Sequence, residues 1–218
     1  MIKINFQQRN WAGEHGNKYN LRNPQNPTDV NKLYKKSFGV TRIKMNDDFL
    51  RSLRRDINIL EVGTNVGAQL QTLQKMGFLN LYGIEINRKA IETSKKISKN
   101  IDIIRASALD IPFKDNYFDL VFTSGVLIHI SPSYIKKVIT EIHRCAKNYI
   151  WGFEYYADAY AQVPYRGKKN MLWKTDFAKL YLDSFNDLTL VKERKMKYLY
   201  DQNVDAMFLL KKKIRPVQ

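Results

Sequence analysis

The stretch ILEVGTNVG, residues 59–67, sets the architecture of the chain. Its apolar half predicts a buried strand, and Gly63 and Gly67 predict a tight turn before an amphipathic helix over Gln69–Met76. The next apolar strand ends in the carboxylate of Glu85. Unpaired N–H groups at a helix start suit a polar ligand, and a carboxylate at the next strand tip can accept both hydroxyls of a ribose. We therefore expect a nucleoside-binding crevice.

The glycine spacing argues against a dinucleotide. Dinucleotide folds use G-x-G-x-x-G, whose second glycine lets the backbone approach a pyrophosphate. Here E-x-G-x-x-x-G runs from Glu61 to Gly67, and its carboxylate would repel a pyrophosphate while tolerating an ammonium or sulfonium group. The stretch resembles motif I of class I S-adenosylmethionine (SAM) methyltransferases, and Glu85 matches their ribose-binding acidic residue. The alternative is a generic strand–turn–helix of an α/β protein.

Two later segments extend the resemblance. SALDIPFKDNYFDLV, residues 107–121, resembles the family's adenine loop running into its fourth strand, although Ser107 stands where an Asp is common. Serine is a weaker acceptor than aspartate, so we expect backbone groups around Ala108 to contribute more to adenine recognition. VFTSGVLIHISP, residues 121–132, resembles the segment where the cofactor's methyl face meets the acceptor pocket. The resemblance implies these cofactor-binding residues: Glu61, Gly63, Thr64, Asn65, Gly67, Glu85, Ile86, Ser107, Ala108, Leu109, Thr123 and Ser124.

Length and composition limit the number of domains and the kinds of site that the chain can contain. A chain of 218 residues can bury one core, with little left for a second domain. One cysteine, Cys145, excludes an internal disulfide and a multi-cysteine metal site, and we expect no metal. No stretch has the pattern of a signal peptide or the length of a membrane span. We therefore expect a soluble, cytoplasmic protein that is a monomer or a homodimer.

The net charge of +16 leaves several classes of partner to consider. A basic surface suits nucleic acid, anionic lipid or acidic metabolites. The basic clusters are scattered, as at residues 192–197 and 211–215, and no RNP-type aromatic motif or zinc knuckle accompanies them. We therefore disfavour nucleic acid and membrane and expect an anionic small-molecule substrate.

Hydrophobic periodicity predicts an α/β fold with a mostly parallel, Rossmann-like seven-stranded sheet, helices on both faces and a C-terminal antiparallel hairpin, as in class I methyltransferases. An irregular polar leader over residues 1–27 precedes a helix over 30–38 and another from a cap at Asn46 or Asp47 to Arg55. The predicted strands are 57–62, 80–85, 101–106, 118–124, 148–154, 187–199 and 204–212. We divide this single domain into a leader with helices covering the site (1–55), a cofactor-binding core (56–154), a substrate loop (155–177) and a terminal helix with the hairpin (178–218).

Two segments outside the cofactor motifs carry the substrate prediction, because those motifs serve enzymes with unrelated acceptors. The leader and the loop after the fifth strand are rich in Trp, Tyr, Arg and Glu, which stack on polar rings and hold carboxylates or hydroxyls. Arg166 resembles an anion clamp; the alternative is a lid in which it pairs with Glu154 or Asp176 for structure alone. The expected substrate-binding residues are Trp11, Glu14, His15, Tyr19, Arg22, Tyr155, Tyr156, Tyr165, Arg166 and Trp173.

Four patterns resemble the pseudaminic acid biosynthesis-associated methylases: the W-x-G-E-x-G-x-x-Y-x-x-R-N leader, GVLIHI, the EYY–PYRG loop and LWK-x-DFA. The resemblance implies methyl transfer from SAM to O or N of a sugar, sugar nucleotide or related metabolite of nonulosonic acid pathways, with S-adenosylhomocysteine as product. One alternative is an RNA or protein methyltransferase, which the lack of an N-P-P-Y-type tetrapeptide after the fourth strand disfavours. The other is a catalytically silent SAM-binding partner protein.

His129 is the first candidate for a general base. It follows the fourth strand at the predicted methyl face, and imidazole titrates near neutral pH. Its alternative role is to cap or orient the next helix. Glu154, at the end of the fifth strand, is the second catalytic candidate, and Glu14 and His15 reach the crevice if the leader folds over it. In-line placement of the two reactants should contribute most of the rate enhancement.

Overall fold

Apolar strands alternate with amphipathic helices through the middle of the chain. A computed structural model describes residues 5–213. Residues 1–4 of the predicted leader and residues 214–218 of the predicted terminal segment lie outside that range. The described strands are β1 (Asn58–Val62), β2 (Asn80–Glu85), β3 (Asp102–Arg105), β4 (Phe118–Ser124), β5 (Ala146–Tyr155), β6 (Ala161–Gln162), β7 (Trp173–Lys174), β8 (Leu188–Lys197) and β9 (Val204–Lys212). The described helices are α1 (Phe6–Ala12), α2 (Glu14–Arg22), α3 (Pro27–Phe38), α4 (Arg42–Leu50), α5 (Ala68–Lys75), α6 (Arg88–Ile97), α7 (Pro132–Cys145) and α8 (Phe177–Ser184), with a 3₁₀ turn at Leu127–His129.

Seven of these strands form the main sheet, in the order β3-β2-β1-β4-β5-β9-β8. The first five run parallel, and β9 pairs antiparallel with both β5 and β8. β1 pairs with both β2 and β4, so the winding of the chain reverses at β1 and a crevice opens at the carboxyl ends of these strands. The predicted fold class is confirmed. β6 and β7 form a separate two-stranded sheet that the sequence analysis did not predict.

Alternate residues of β1 enter two cores. Leu60 and Val62 pack in one cluster with residues of α7 and α8, whereas Ile59 packs in the other with residues of α4 and α5. Since neighbouring side chains of a strand point to opposite faces, helices cover both faces of the sheet. This burial fixes the strand tips that carry the motif residues.

The N-terminal segment differs from its prediction, because the expected irregular leader contains two helices. The Asn5 side chain accepts the N–H of Gln8 at 2.8 Å, and the Gln8 side chain accepts the N–H of Asn5 at 3.0 Å, which forms a capping box for α1. The buried residues of α1 and α2 are Gln7, Gly16 and Asn20, so neither helix has an apolar stripe to predict it from. We name α1 and α2 together the N-terminal lid.

Helix α4 also differs, since it starts at a Thr41 cap and not at Asn46 or Asp47. Asn46 and Arg42 are completely buried inside it. The Arg42 guanidinium donates to Asn46 Oδ1 at 2.7 Å and to Ser124 Oγ at 3.2 Å. A guanidinium held in this way can be buried, and it ties α4 to the end of β4. Asn46, which resembles a helix cap in the sequence, is therefore part of the core here.

Candidate cofactor and substrate site

A cavity of about 230 Å³, the main cavity, opens at the carboxyl ends of β1, β2 and β4. Ten of the twelve predicted cofactor-binding residues line it: Glu61, Gly63, Thr64, Asn65, Glu85, Ile86, Ser107, Ala108, Leu109 and Ser124. The other two, Gly67 and Thr123, do not. Gly67 starts α5 at φ 81°, and a side chain there would lie 2.8 Å from Ile103. Thr123 is buried within β4. These two positions shape the strand ends beneath the cavity.

The turn after β1 is held in place by β2. The N–H groups of Gly63 and Thr64 both donate to Ile84 O, at 2.9 and 3.0 Å. Gly63 has φ 75°, and a side chain at this position would collide with Val126 at 2.8 Å. Glycine is therefore required both by the backbone conformation and by the close approach of the segment after β4.

Glu85 lies at the tip of β2, as predicted. Its carboxylate is largely buried and accepts the N–H of Asn65 and the N–H of Asn87, each at 2.8 Å. Each oxygen keeps a second lone pair that could accept a ribose hydroxyl. Burial raises the pKa of this carboxyl, while the backbone donors act in the opposite direction. The residue therefore fixes the motif turn and offers acceptors to a ligand.

Glu61 lies at the base of the main cavity. Thr64 Oγ1 donates to its carboxylate at 2.6 Å, and burial raises the pKa of this carboxyl to about 8. A cationic ligand group nearby would favour the ionised form and lower that pKa. The electrostatics at Glu61 thus suit the ammonium or sulfonium group inferred from the motif.

The N-terminal lid contacts the loop at Ser107–Leu109, which is predicted to bind adenine. Gln8 of α1 donates to Ser107 Oγ at 2.8 Å, and Ser107 Oγ also accepts the N–H of Leu109 at 3.1 Å. This contact was not predicted, although the capping box at Asn5 and Gln8 is a sequence signal for a helix. Other lining residues that were not predicted are Asn5, Gln7, Asn20, Tyr34, Asn87 and Tyr134.

Five rings, from Trp11, His15, Tyr19, His129 and Tyr165, form the aromatic cluster at one end of the main cavity. Trp11 is at its centre, with ring centroids 4.4 Å from His129, 4.9 Å from His15 and 5.2 Å from Tyr19. The Tyr165 ring lies 5.1 Å from that of His129. Among the described residues, no partner satisfies the buried Trp11 Nε1 or His15 Nε2. The leader and the substrate loop thus meet at the first candidate base.

His129 lines the main cavity and is 7 % exposed. Its Nδ1 lies 2.7 Å from Met171 O, so Nδ1 carries the proton and Nε2 is the free acceptor of the neutral ring. Burial lowers the pKa of His129 to about 4. The ring is neutral at pH 7 and can accept a proton, but a pKa of about 4 makes it a weaker base than the imidazole titrating near neutral pH on which the prediction rested.

Glu154 lies behind the cavity and does not line it. It is 1 % exposed, and its two oxygens accept the N–H of Val126 at 3.2 Å and of Ile128 at 3.4 Å. Burial raises the pKa of this carboxyl to about 7. The contacts hold the 3₁₀ turn that carries His129, so the geometry favours a positioning role for Glu154 over the predicted proton transfer.

A second cavity, of about 460 Å³, lies next to the aromatic cluster and includes predicted substrate residues of both segments. Glu14, His15, Arg22 and Arg166 line it. Arg166 pairs with neither Glu154 nor Asp176 in the described part of the chain. The purely structural pairing considered for Arg166 is therefore not present.

Four predicted substrate residues, Tyr155, Tyr156, Tyr165 and Trp173, line neither cavity, although the Tyr165 ring belongs to the aromatic cluster. Tyr155 packs against Tyr198 with ring centroids 5.9 Å apart, and Tyr156 lies under Lys195 Nζ at 3.7 Å. Trp173 is buried in β7, and α8 begins after it at Phe177. The aromatic content of the substrate loop partly serves packing against the terminal hairpin.

Two classes of feature are absent from residues 5–213. No group of three or more His, Cys, Asp or Glu side chains is arranged to hold a metal ion there. None of the helices in this range combines the length and apolar character needed to cross a membrane.

The central part of the chain matches a known family. Residues 60–149 match the family described as a methyltransferase domain. Over 99 residues the chain is 27% identical to an uncharacterized protein of Haemophilus influenzae, a match that covers 43% of this chain and 39% of that protein. The chain thus spans well under two thirds of this curated relative.

Solved structures extend the likeness to most of the chain. The PH0226 protein from Pyrococcus horikoshii is 18% identical, with a TM-score of 0.66 over 90% of this chain and 99% of that chain. The 1,6-didemethyltoxoflavin-N1-methyltransferase from Burkholderia thailandensis, solved with 1,6-didemethyltoxoflavin and S-adenosylhomocysteine, is 11% identical, with a TM-score of 0.63 over 79% of this chain and 76% of that chain.

At these identities the structural likeness concerns the fold, and the domain match concerns residues 60–149. Together they support the prediction of SAM as the cofactor. Residues 60–149 thus match a methyltransferase domain, and the chain shares its fold with solved methyltransferases.

Proposed function

We propose that the protein is a SAM-dependent methyltransferase acting on O or N of a small, polar, anionic sugar or sugar-nucleotide metabolite, as in nonulosonic (pseudaminic) acid pathways of surface glycans. The observation that carries the proposal is the main cavity, which Glu61, Glu85 and His129 all line and which ends at the aromatic cluster. Cofactor-binding groups and a proton acceptor thus share one enclosed space.

The residues of the main cavity fit the chemical groups of SAM. Glu85 offers two acceptors for the ribose hydroxyls, and the loop from Ser107 to Leu109 lines the wall expected to contact adenine. Glu61 can supply negative charge for the methionine end, because a cationic ligand group would lower its raised pKa and favour the ionised form. When bound, SAM supplies an electrophilic methyl group on its sulfonium, and its sulfur keeps the electron pair of the broken C–S bond.

The chain's part in the reaction is placement and proton acceptance. His129 Nε2 takes the proton of an acceptor hydroxyl while the new O–CH₃ bond forms, and the Nδ1 contact with Met171 keeps the ring in that tautomer. Glu154 holds the turn that carries His129. Close placement of acceptor and methyl group supplies the larger share of the rate enhancement.

The aromatic cluster supports a small-molecule acceptor. Tyr, Trp and His rings present large faces with polar edges, which suit a polar ring. The Burkholderia thailandensis methyltransferase of the same fold binds a small molecule, 1,6-didemethyltoxoflavin. The sugar class rests on the resemblance to the pseudaminic acid biosynthesis-associated methylases, and the aromatic cluster also argues against a silent partner protein, which needs no acceptor pocket.

The experiment incubates the protein with methyl-labelled SAM and a cell extract separated into small-molecule, nucleic-acid and protein fractions. We expect label only in the small-molecule fraction, where mass spectrometry identifies the product. A Glu85→Ala control should transfer far less, which separates the activity from contaminating enzymes. Label in RNA or protein would contradict the acceptor class, and SAM binding without transfer to any fraction would favour the silent partner.

A further inference from the structure

The second cavity is strongly basic and lies outside the main cavity. The N-terminal lid supplies six of its eight lining residues, and the loop between β6 and β7 supplies two. Five of the eight are cations and one is a carboxylate. The lining residues are Arg9, Asn10, Glu14, His15, Lys18, Arg22, Arg166 and Lys168.

Most of this positive charge is not compensated. Glu14 pairs with Lys18 at 2.7 Å, which neutralises one lysine. Within residues 5–213 no ion pair joins a carboxylate to the other four cations, Arg9, Arg22, Arg166 and Lys168. Like charges around one cavity repel one another, and a bound anion relieves that repulsion. The cavity is therefore electrostatically suited to an anion.

The cations surround a histidine that also belongs to the aromatic cluster. Burial and the positive charges of Lys168, Arg22, Arg166 and Lys18, in that order, lower the pKa of His15. His15 Nε2 is buried without a partner in the described part of the chain. Buried polar atoms are normally hydrogen-bonded, so this nitrogen marks a place where a polar ligand group would fit.

One tight turn connects the second cavity to His129. Tyr165 and Lys168 exchange two backbone hydrogen bonds, at 2.9 and 3.0 Å. The two residues between them, beginning with Arg166, have φ 50° and 74°, the left-handed pair of a type I′ turn. The Tyr165 ring lies 5.8 Å from that of His15 and 5.1 Å from that of His129. The turn that supplies two cations therefore also contacts the candidate base.

We propose that the second cavity binds an anionic group of the methyl acceptor, a phosphate or a carboxylate, and that the acceptor extends from there past the Tyr165 and His15 rings to His129. This inference rests on the proposed function. The guanidinium groups of Arg22 and Arg166 match the paired oxygens of either anion. Anchoring the acceptor at its charged end places its reacting end at the methyl group.

The test titrates glucose 1-phosphate, glucuronate and uncharged glucose into the full chain saturated with S-adenosylhomocysteine, by calorimetry at low ionic strength. We expect one or both anionic sugars to bind and glucose not to bind. The stronger of the two anions identifies the group that the cavity prefers. The double variant Arg166→Gln/Lys168→Gln should weaken binding of that sugar by about tenfold or more, since it removes two charge-assisted contacts.

A matched control removes the same charge elsewhere. Lys89→Gln/Lys96→Gln changes two exposed lysines of α6 that line neither cavity, and it should keep the wild-type affinity for the anionic sugar. Equal losses in both double variants would overturn the inference, because only the overall charge would then matter. Equal binding of glucose and the anions, or binding of none, would overturn it as well.

The same samples separate this inference from the proposed function. If the wild-type chain does not bind S-adenosylhomocysteine, the proposed function fails. If it binds S-adenosylhomocysteine and shows no preference for anionic sugars, only the anion site fails. A further competition uses an RNA oligomer. If the oligomer displaces the anionic sugar and binds Arg166→Gln/Lys168→Gln more weakly than the wild type, the ligand of this cavity is nucleic acid and the proposed metabolite is wrong.

Discussion

Glu85 combines two tasks that one carboxylate can perform because each of its oxygens has two lone pairs. One pair on each oxygen receives a backbone N–H, from Asn65 or Asn87, and the other remains for a ligand. The position of this carboxylate could be predicted from the sequence, since an acidic residue that ends an apolar strand lies where the carboxyl ends of the parallel strands meet. The backbone contacts did not, because they depend on how the next two turns fold.

Glu85→Ala should weaken SAM binding by roughly 1.5–3 kcal/mol, the range for hydrogen bonds to a charged group. That loss corresponds to a dissociation constant about 10- to 150-fold higher, which calorimetry can measure. Glu92→Ala is the matched control, since Glu92 is exposed on α6 and pairs with Arg88. Unchanged affinity in a folded Glu85→Ala protein would contradict the nucleoside site.

His129→Ala should lower turnover by about 10²–10⁴-fold, the usual contribution of a general base, and leave SAM affinity nearly unchanged. Because the pKa of His129 is about 4, the ring stays neutral from pH 8 down to pH 5. Its protonation should therefore not reduce the wild-type rate in that range. Rates of methyl transfer with labelled SAM check both points, and near-normal turnover of the variant would exclude His129 as the base.

Among the elements, the strands of the sheet were the most predictable part. Three strand predictions, 80–85, 118–124 and 204–212, agree with the observed bounds, because apolar runs between turn residues leave few alternatives. The N-terminal lid was not predictable in this way. Short helices with polar buried faces are stable only through docking, and sequence periodicity does not report docking.

Asn87 is the main attachment point of the lid. Its Nδ2 donates to Trp11 O and to Asn17 Oδ1, each at 3.0 Å, and its Oδ1 accepts from Asn20 at 3.1 Å. The same Oδ1 caps α6 through the N–H of Ala90. The lid is thus fastened by amide contacts at the start of α6, two residues after Glu85.

Gly16→Ala should detach the lid. A Cβ at this position would lie 1.9 Å from Trp11 O and 2.7 Å from Asn87 Nδ2, although alanine itself favours a helix. We expect faster hydrogen exchange in residues 6–22 and faster release of S-adenosylhomocysteine, with little change in global unfolding. Leu21→Ala, at an exposed position of α2 that lines neither cavity, is the control. Unchanged exchange in Gly16→Ala would show that the lid does not depend on this contact.

Across the whole molecule, buried carboxyl groups link stability to pH. Burial raises the pKa of Glu61 to about 8 and of Glu154 and Asp205 to about 7. A carboxyl whose pKa is higher in the folded state favours folding at low pH, and this contribution is lost as pH rises through the folded-state pKa. His129 acts oppositely, since its lowered pKa costs stability as pH falls from about 6.5 towards 4.

The free energy of unfolding should therefore fall between pH 6.5 and pH 8.5, where the carboxyl groups ionise in the folded state. In this range His129 is neutral in the folded state and at most half protonated in the unfolded state, so its opposing contribution is small. Asp205→Asn should make this fall smaller, because it removes one of the three groups and can keep the Tyr198 contact. Asp183→Asn, at an exposed ion pair of α8, should match the wild type. Urea unfolding at both pH values measures the change in the free energy of unfolding. The same change in all three proteins would contradict the role of Asp205.

The net charge of the chain did not by itself identify the binding partner. A net charge of +16 was compatible with several partners, and only the folded chain brings Arg9 and Arg22 of the lid to the same cavity as Arg166. These residues are more than 140 positions apart in the sequence, and no local pattern indicates that they meet. Such long-range contacts depend on the packing of the lid against the β6–β7 loop.

Trp11 has one further consequence, for spectroscopy. The chain contains three tryptophans, and Trp151 and Trp173 are buried in the cores, whereas Trp11 is the one that lines the main cavity. The indole of Trp11 also packs against the rings of His15 and His129, so a ligand entering the cavity changes its surroundings. Its fluorescence emission should therefore change when the cofactor enters. Because Trp11 belongs to the N-terminal lid, this emission follows the lid without an added label.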